Sequence, residues 1–364
     1  MGSKFNFIMI TENIKLNGVL YNRNNLDQLK VATEPDDFWR NAICSFMQNW
    51  FDETDFITVK TSGSTGKPKS IRLSKQSMMN SARMTNHFFD LTGESVCLLC
   101  LPATYIAGKM MLVRAVVGGF NLLAVEPSAN PFVNLQESID FTAITPYQLF
   151  HSALTLQTKK VCKIIVGGGP VTSKLETLSE NISSELYETY GMTETCSHIA
   201  LRRFNGKEKS EYFTVLEGVS IHRDDRECLA IYAPHLLFEE IQTNDIVELK
   251  GNASFRWLGR SDSTINSAGI KIHPELLEKK LEEFIPSSYF ISSIPDELFE
   301  NKLVLVIESE RYDVQQLEKL TTQLLKKLSK YEIPKQILFL SSFVYSPGNK
   351  VLRKPTLEKA LKNV

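Results

Sequence analysis

The feature that most constrains the fold is an alternation of short apolar runs and helical segments between residues 56 and about 190. The short runs are rich in β-branched residues and end near Gly or Pro, which is typical of strands. They are FITVK, VCLLCLP, FNLLAVEP, FTAITP and VCKIIVGG. Two segments between them, SKQSMMNSARMTNHFF and GKMMLVRAVVGG, indicate helices, with Ser74 as the expected N-cap and Gly118-Gly119 as the expected end. This alternation predicts an α/β fold of layered, largely parallel sheets, whose ligands usually bind outside the carboxyl ends of the strands.

The remaining sequence has two different patterns. Residues 210–258 contain short runs such as VSIH, CLAIYAP and DIVEL, with a turn at Lys250-Gly251-Asn252, and these predict an antiparallel, barrel-like β subdomain. After LGRSD, the strand and helix patterns predict a small, mobile α+β domain. We therefore predict two domains, residues 1–259 and residues 260–364, joined by a short hinge near residues 260–263.

Composition excludes several classes of function. The formal net charge of −1 gives no basic field that would attract nucleic acid. The longest apolar region, residues 110–125, is too short to span a bilayer and contains Arg114. The N-terminus lacks the basic-then-apolar pattern of a signal peptide. We predict a cytoplasmic protein without membrane insertion, and the sequence leaves the oligomeric state open.

Cysteines and histidines do not indicate a metal site. Only Cys97 and Cys100 of the six cysteines are close in sequence, and no second pair follows at ligand spacing. Two leucines separate them within an apolar run, so we predict buried structural thiols. The six histidines are scattered, with no H-x-x-x-H pair.

A hydroxyl- and glycine-rich segment, TSGSTGKPKS at residues 61–70, follows FITVK. A Walker-type loop needs glycine where this chain has Thr61 and Ser or Thr where it has Pro68, and proline there disfavours a helix at the preceding residue. A G-x-S-x-G nucleophile elbow also fails here. The glycine run at 167–169 lacks the last glycine of a dinucleotide fingerprint, because Thr172 occupies that position. The segment alone predicts either a phosphate-binding loop with backbone N–H and hydroxyl donors or a solvated turn.

Four segments, in the same order, resemble the motifs of the adenylate-forming superfamily of acyl- and aryl-CoA ligases, luciferases and peptide-synthetase adenylation domains. They are TSGSTGKPKS at 61–70, YETYGMTET at 187–195, LGRSDSTINSAGIKIHPELLE at 258–278 and SPGNKVLRK at 346–354. The resemblance implies the adenylate-forming enzyme fold, shortened at the N-terminus because the loop already begins at residue 61. It also implies two half-reactions. A carboxylate attacks the α-phosphate of ATP to give an acyl-adenylate and pyrophosphate, and the thiol of coenzyme A then attacks the adenylate.

The resemblance implies two sets of nucleotide contacts in the first part of the chain. The residues expected at the β- and γ-phosphates are Thr61, Ser62, Gly63, Ser64, Thr65, Gly66 and Lys69. Those expected around the rest of the nucleotide are Gly168, Gly169, Tyr190 at the adenine, Gly191, Met192, Thr193 at the α-phosphate and Glu194 at Mg²⁺. A hard oxygen ligand beside a triphosphate is the usual arrangement for magnesium.

Further roles are implied near the predicted domain boundary. Asp245 matches the aspartate that binds the ribose hydroxyls, although Asn244 replaces the usual glycine. Arg260 would reach the ribose or a phosphate. Asp262 matches the hinge residue about which the small domain rotates between the half-reactions. Ala268 and Gly269 would line the tunnel for the pantetheine arm of coenzyme A.

The catalytic residue implied by the resemblance is Lys350 in SPGNKVLRK. Its ammonium would bridge the incoming carboxylate and the α-phosphate and stabilise developing charge during adenylation only. Thr193 and Glu194 are the other predicted catalytic residues. Arg353 keeps the K-x-x-R spacing, whereas the glycine and asparagine before Lys350 are reversed from the common N-G-K. The alternative is that Lys350 is one more lysine of a basic C-terminal region.

Two segments resemble the o-succinylbenzoate–CoA ligases of menaquinone synthesis, whose substrate is aromatic and carries a second carboxylate. LPATYIAGKMMLVRAVVGG resembles L-P-x-x-H-I-x-G-x-x-x-x-x-R, with Tyr105 in place of histidine, and GMTETCSHIALR resembles G-M-T-E-T-x-S. The acyl-substrate pocket is therefore predicted to contain Tyr105, Lys109, Ser197, His198 and Arg202, with Lys109 or Arg202 as the cation for the second carboxylate. Two other hypotheses remain: a ligase for another aryl or acyl acid, and a non-catalytic nucleotide-binding homologue.

Overall fold

The computed structural model describes residues 12–29, 38–60, 70–236, 239–296, 300–345 and 351–363. The chain divides into two compact units. The first contains residues 1–171, 175–220 and 232–240, and the second contains residues 172–174, 221–231 and 241–364. Residues 241–259 belong to the second unit in this division, whereas the domain boundary predicted from the sequence places them in the first domain. The predicted boundary stays a prediction.

The elements up to residue 215 alternate between strands and helices. The helices are α1 (Phe38–Trp50), α2 (Lys75–Phe88), α3 (Ile106–Gly118), α4 (Pro146–Leu156) and α5 (Ser173–Leu178), with a 3-10 helix at Leu26–Leu29. The strands are β1 (Asn13–Leu16), β2 (Val19–Asn22), β3 (Phe56–Lys60), β4 (Ser70–Ser74), β5 (Val96–Leu99), β6 (Asn121–Ala124), β7 (Ile139–Ile144), β8 (Val161–Val166), β9 (Glu185–Gly191), β10 (His198–Arg203) and β11 (Phe213–Val215). The strands and helices expected in this region from the sequence are thereby confirmed.

The central sheet of the first unit is largely parallel, as predicted. Its order is β11-β10-β9-β8-β7-β5-β6-β1-β2. The neighbours from β9 to β1 pair in parallel, and β2, β10 and β11 add antiparallel pairs at the two sides. The carboxyl ends of β5, β7, β8 and β9 therefore point to the same edge of the sheet.

Helices and loops cover both faces of this sheet, which explains the continuous apolar run VCLLCLP. Cys97 and Leu99 of β5 face one hydrophobic core, and Leu98 and Cys100 face another. Both thiols are buried, and burial raises the pKa of Cys100 to about 12. The interpretation of these cysteines as structural thiols is consistent with this environment, because such thiols stay protonated and unreactive.

Local capping follows the sequence signals. The Ser74 hydroxyl accepts a hydrogen bond from the backbone N–H of Ser77 at the start of α2. Gly119 takes a left-handed conformation with φ of 67° at the end of α3, where its N–H bonds to the Ala115 carbonyl. Residues Met110 to Val116 of α3 are all buried, including Arg114. The apolar sequence of this helix reflects its central position between the sheet and its neighbours.

The strand before the segment 61–70 is placed differently from the expectation. β3 pairs antiparallel with β4, with Lys60 opposite Ser70, and this pair is separate from the central sheet. FITVK was counted among the strands of the predicted, largely parallel sheet, and that placement was therefore wrong. Since a strand rather than a helix follows the loop, the structure agrees with the exclusion of a Walker geometry. Residues 61–69 themselves lie outside the described residues.

The elements from residue 220 onward are mostly strands, followed by helices. They are β12 (Ser220–Arg223), β13 (Cys228–Tyr232), β14 (Ile241–Lys250), β15 (Ser254–Arg260), β16 (Ile265–Ser267), β17 (Ile270–Ile272), α6 (Pro274–Leu281), β18 (Tyr289–Asp296), β19 (Glu300–Glu308), α7 (Val314–Lys327), β20 (Gln336–Leu340) and α8 (Arg353–Lys362). The pairs β13–β14 and β14–β15 are antiparallel, as predicted. In the C-terminal part, β18, β19 and β20 form a sheet that packs with α6, α7 and α8, which confirms the predicted α+β pattern.

Candidate active site

The second sequence motif forms the end of β9 and the turn after it. β9 ends at Gly191, and Met192, Thr193 and Glu194 lead into β10. The side chain of Tyr190 is half-buried, with its ring 5.9 Å from that of Phe213. Glu194 is exposed. The motif therefore lies at the carboxyl edge of the parallel sheet, where nucleotides bind in folds of this type.

The Thr195 hydroxyl stabilises this turn. Its oxygen lies 3.0 Å from the Met192 nitrogen and 2.7 Å from the Ser197 carbonyl oxygen. Cys196, which is buried, has a φ of 64°, an uncommon conformation for a residue with a side chain. Such strain persists only where surrounding contacts enforce it, and it is frequent at functional sites.

Gly191 is required for the close approach of β9 to the segment that starts β10. A Cβ at this position would lie 2.3 Å from the Ser197 carbonyl oxygen and 2.6 Å from the His198 Cα. We expect Gly191→Ala to lower the free energy of unfolding by about 1–3 kcal/mol, because backbone atoms must move to admit the methyl group. Urea unfolding measures this, with Gly93→Ala as the control. A methyl at Gly93 would meet nothing closer than 3.9 Å, so equal losses in both variants would contradict the explanation.

Glycines after the neighbouring strand β8 border the same edge. Gly168 has a φ of 83°, and both Gly168 and Gly169 are exposed. A Cβ at Gly167 would lie 2.3 Å from the Thr189 hydroxyl oxygen, so this glycine lets β8 and β9 approach closely. The backbone of residues 168–169 is thus free of side chains on the ligand side of the sheet.

The segment after β5 supplies two of the predicted acyl-pocket residues. Tyr105, at the N-cap position of α3, is 61% exposed. The Lys109 ammonium donates to the carbonyl oxygens of Ala103 and Thr104 at 2.6 and 2.9 Å. Burial lowers the pKa of Lys109. Lys109 also lines a cavity of about 520 Å³ between α1, β3 and this segment. Its position in the acyl pocket stays a prediction.

Arg202 is engaged by carboxylates of the protein itself. Its guanidinium lies 2.6 Å from Glu188 and 3.0 Å from Glu176. The other oxygen of Glu188 accepts the Val171 N–H at 2.9 Å. Arg202 is 5% exposed. With two anionic partners already present, it is poorly suited to bind a second carboxylate of a substrate, and that role for it stays a prediction.

Arg114 is a candidate that the sequence reasoning did not select. It is 1% exposed, and its Nη2 donates to the Ser197 hydroxyl at 2.8 Å. Among the described residues, no carboxylate forms an ion pair with it, and its Nε has no hydrogen-bond partner. Burial lowers the pKa of Arg114 to about 10. The signal was present in the sequence, because this arginine interrupts an otherwise apolar helix.

Ser197 and His198, both predicted in the acyl pocket, differ in exposure. Ser197 is half-buried, whereas His198 is 4% exposed and lies behind it. The Ser197 hydroxyl oxygen and His198 Nδ1 are 3.3 Å apart. The structure therefore brings Arg114, Ser197 and His198 together, adjacent to the turn of the second motif.

In the second unit, the predicted ribose-binding and hinge residues contact one another. Arg260 makes two 2.9 Å hydrogen bonds to the Asp262 carboxylate, and these lower the pKa of Asp262. Asp245 accepts from the Trp257 indole N–H at 3.1 Å, and it lies 3.9 Å from Arg260 Nη1. The three residues form one cluster where the middle of β14 pairs with the end of β15. Their roles toward ligands stay predictions.

Ala268 and Gly269 form the two-residue turn between β16 and β17. Their φ angles are 52° and 76°, and Ser267 pairs with Ile270. Two positive φ angles at this position are the signature of a type I′ hairpin turn. The predicted tunnel residues are therefore at a hairpin tip, where small side chains leave the backbone accessible.

Arg353 of the last motif has a structural role. It forms a bidentate pair with Glu278, both bonds 2.8 Å long, and so connects α8 to the end of the third motif. Tyr345 and Val351 pair as an antiparallel bridge on the two sides of residues 346–350. Lys350 and the phosphate-loop residues Thr61 to Gly66 and Lys69 lie outside the described residues, so their roles stay predictions.

The residues at the turn after β9 fit a magnesium ion that arrives with a nucleotide. Mg²⁺ needs only one or two carboxylates when phosphate oxygens and waters complete its shell, and Glu194 is exposed. The described part of the chain holds no cluster of three or more His, Cys, Asp or Glu that could bind a metal ion by itself. The arrangement suits a metal held mainly by its nucleotide.

Comparison with known proteins agrees with this description. The family model "AMP-binding enzyme" matches residues 14–221. The crystal structure of an acyl-CoA synthetase (AMP-forming)/AMP-acid ligase II-like protein from Dyadobacter fermentans DSM 18053 is 35% identical, with a TM-score of 0.60. The match covers 91% of this chain and 97% of that one.

Two further relatives match at lower identity. A 2-succinylbenzoate–CoA ligase from Bacillus cereus (strain Q1) is 23% identical, and the match covers 85% of this chain and 71% of the relative. The O-succinylbenzoate coenzyme A synthetase of Bacillus subtilis, solved with ATP and magnesium, is 20% identical with a TM-score of 0.69. That match covers 82% of this chain and 69% of the other, and it supports the fold alone.

Within the described residues, no helix combines the length and hydropathy needed to cross a bilayer. The cytoplasmic location stays a prediction.

Proposed function

Because this chain belongs to the AMP-binding enzyme family and is an AMP-forming acid–CoA ligase, we propose that its acid substrate is an aromatic dicarboxylate, 2-succinylbenzoate. In the proposed reaction the acid and ATP give an acyl-adenylate and pyrophosphate, and coenzyme A then gives 2-succinylbenzoyl-CoA and AMP. This reaction belongs to menaquinone synthesis. The curated relatives that carry this name support the substrate class, and the environment of Arg114 supports the second carboxylate.

The main support for the proposal is that Arg114 is buried without a carboxylate partner among the described residues. A cation taken out of water without a counter-ion costs several kcal/mol. Arg114 has only the Ser197 hydroxyl and the Met111 sulfur as hydrogen-bond acceptors for its side chain among the described residues. A substrate carboxylate that enters from the Ser197 side would supply the missing negative charge. The binding free energy would then come largely from this pair, because Coulomb attraction is strong where water is excluded.

The proposed roles of the other residues follow the two half-reactions. Glu194 would hold the Mg²⁺ that accompanies ATP, Thr193 would contact the α-phosphate, and Tyr190 would pack against the adenine. The exposed backbone at Gly168 and Gly169 would let nucleotide and acid approach the sheet edge closely. Lys350 would neutralise charge at the reacting carboxylate and α-phosphate, and the segment 61–70 would hold the departing pyrophosphate.

The second unit would bind the ribose and the thiol substrate. In this proposal Asp245 accepts from the ribose hydroxyls, and Arg260 exchanges its bond to Asp262 for a contact with the nucleotide. Rotation about Asp262 would then bring Ala268 and Gly269 to the pantetheine arm of coenzyme A.

A panel of acids in a pyrophosphate-release assay tests the proposed substrate. We compare 2-succinylbenzoate with 4-oxo-4-phenylbutanoate, which lacks the ring carboxylate, and with 2-butanoylbenzoate, which lacks the side-chain carboxylate. The diacid should have a kcat/KM at least about 30-fold above either monoacid, because a buried charge pair contributes about 2–5 kcal/mol. Whichever carboxylate is activated, one monoacid retains it and serves as the matched control.

Two outcomes would contradict the proposal. A monoacid that reacts as well as the diacid would favour a ligase for another aryl or acyl acid. Absence of AMP formation with every acid would favour a non-catalytic nucleotide-binding homologue.

A further inference from the structure

A chain of hydrogen bonds links Arg114 to the interior of α2. Arg114 Nη2 lies 2.8 Å from the Ser197 hydroxyl, which lies 3.3 Å from His198 Nδ1. His198 Nε2 lies 3.3 Å from the Thr85 hydroxyl, which donates to the Ser81 carbonyl at 3.2 Å. Thr85 and His198 are buried, at 0% and 4% exposure.

The donor and the acceptor of each hydrogen bond in this series can be assigned. A guanidinium only donates, so Ser197 accepts from Arg114 and gives its own hydrogen to His198 Nδ1. The imidazole then carries its hydrogen on Nε2 and donates to Thr85, whose hydrogen is given to Ser81. Each polar hydrogen in this series of hydrogen bonds is donated once. The imidazole must be neutral, because its Nδ1 accepts while its Nε2 donates. Burial and the nearby positive charge of Arg114 lower the pKa of His198 well below its ordinary value, so the neutral form is the one present at pH 7.

We propose that His198 is a positioning residue, which holds the Arg114 guanidinium, through the Ser197 hydroxyl, in the orientation that receives the second carboxylate of the substrate. The inference rests on the proposed function, since it assumes that Arg114 binds this carboxylate. A serine hydroxyl can rotate freely, and only an acceptor behind it directs its lone pairs toward Arg114. Without Nδ1, Ser197 could turn its hydrogen toward the guanidinium and release it.

The two nitrogens of His198 allow a matched pair of variants. An Asn oxygen can occupy the place of Nδ1, so His198→Asn keeps the acceptor for Ser197. A Gln amide can occupy the place of Nε2, so His198→Gln keeps the contact with Thr85 and loses the acceptor. We expect His198→Gln to raise the KM for 2-succinylbenzoate about three- to tenfold, and His198→Asn to stay within about twofold of the wild type. The kcat should stay unchanged in both, because the anchor acts equally on substrate and transition state.

The KM values for ATP and for the reactive monoacid, which is the monoacid that retains the activated carboxylate, are the internal controls. Neither ligand would use Arg114. A variant that misfolds would change all of them together. Thr85→Val gives a second approach that leaves His198 in place and removes the acceptor of Nε2, and it should raise the same KM. Equal effects of Asn and Gln, or an unchanged ratio of diacid to monoacid KM in His198→Gln and Thr85→Val, would overturn the proposal. Failure of the proposed function can be distinguished from failure of the role of His198, because the wild type itself would then not prefer the diacid.

Discussion

Arg114→Met is expected to lower kcat/KM for 2-succinylbenzoate by about 30-fold or more, while the free energy of unfolding stays the same or rises. The loss follows from removing the cation that would pair with the second carboxylate in a buried position. The gain in stability follows from removing a buried charge that has no carboxylate partner among the described residues. Replacing buried ionic groups with apolar ones of similar size is often neutral or stabilising.

Pyrophosphate release with the diacid and the reactive monoacid measures the first effect, and urea unfolding without substrate measures the second. Arg203→Met is the matched control, because Arg203 lies in β10 and is already paired with Glu208 and Glu185. It should leave the ratio of diacid to monoacid kcat/KM unchanged. If Arg114→Met retains the preference for the diacid, or loses several kcal/mol of stability, the assignment of Arg114 is wrong.

Lys350→Ala is expected to slow pyrophosphate release by about 100-fold or more, and to change thioester formation from preformed acyl-adenylate by less than about threefold. The size of the first effect is that of removing one group that stabilises charge developing in a transition state. The second half-reaction has no incoming carboxylate for this ammonium to neutralise. The two steps are measured separately, by pyrophosphate release from acid and ATP and by thioester formation from synthetic acyl-adenylate and coenzyme A.

Lys354→Ala is the control for this experiment, because Lys354 is an exposed lysine in the same basic segment. It should leave both steps unchanged. Equal losses in the two half-reactions of Lys350→Ala would show that the lysine serves general binding or folding instead of adenylation.

The contrast between Arg114 and Arg202 shows what a sequence alone leaves open about the cation for a second carboxylate. Arg114 interrupts an apolar run, MMLVRAVV, whereas Arg202 stands beside a second arginine in IALRRF, but neither pattern shows whether the charge is compensated. The carboxylate partners of Arg202 come from α5 and β9, and the hydroxyl partner of Arg114 is Ser197, directly before β10 and 83 positions away. Whether a charge is compensated depends on these distant contacts.

The strand FITVK shows the same difference between what local sequence determines and what distant contacts determine. FITVK was correctly recognised as a strand, because β-branched residues and the local pattern determine backbone conformation over a few residues. Its pairing with β4 instead of the central sheet depends on which backbone groups meet across the fold, and the pattern of FITVK contains no information on this.

The sequence by itself determined the elements, their caps, the order of the four motifs and, through them, the superfamily. These features depend on interactions between residues close in the chain, or on residue types that the chemistry requires at fixed spacing. The tertiary structure alone decided that Arg114 is buried without a carboxylate partner among the described residues, and that Arg202 is compensated by two. It also decided that His198 lies behind Ser197. The physical reason is that burial and charge compensation are set by packing between segments far apart in sequence, where a helix, a strand and a turn must meet.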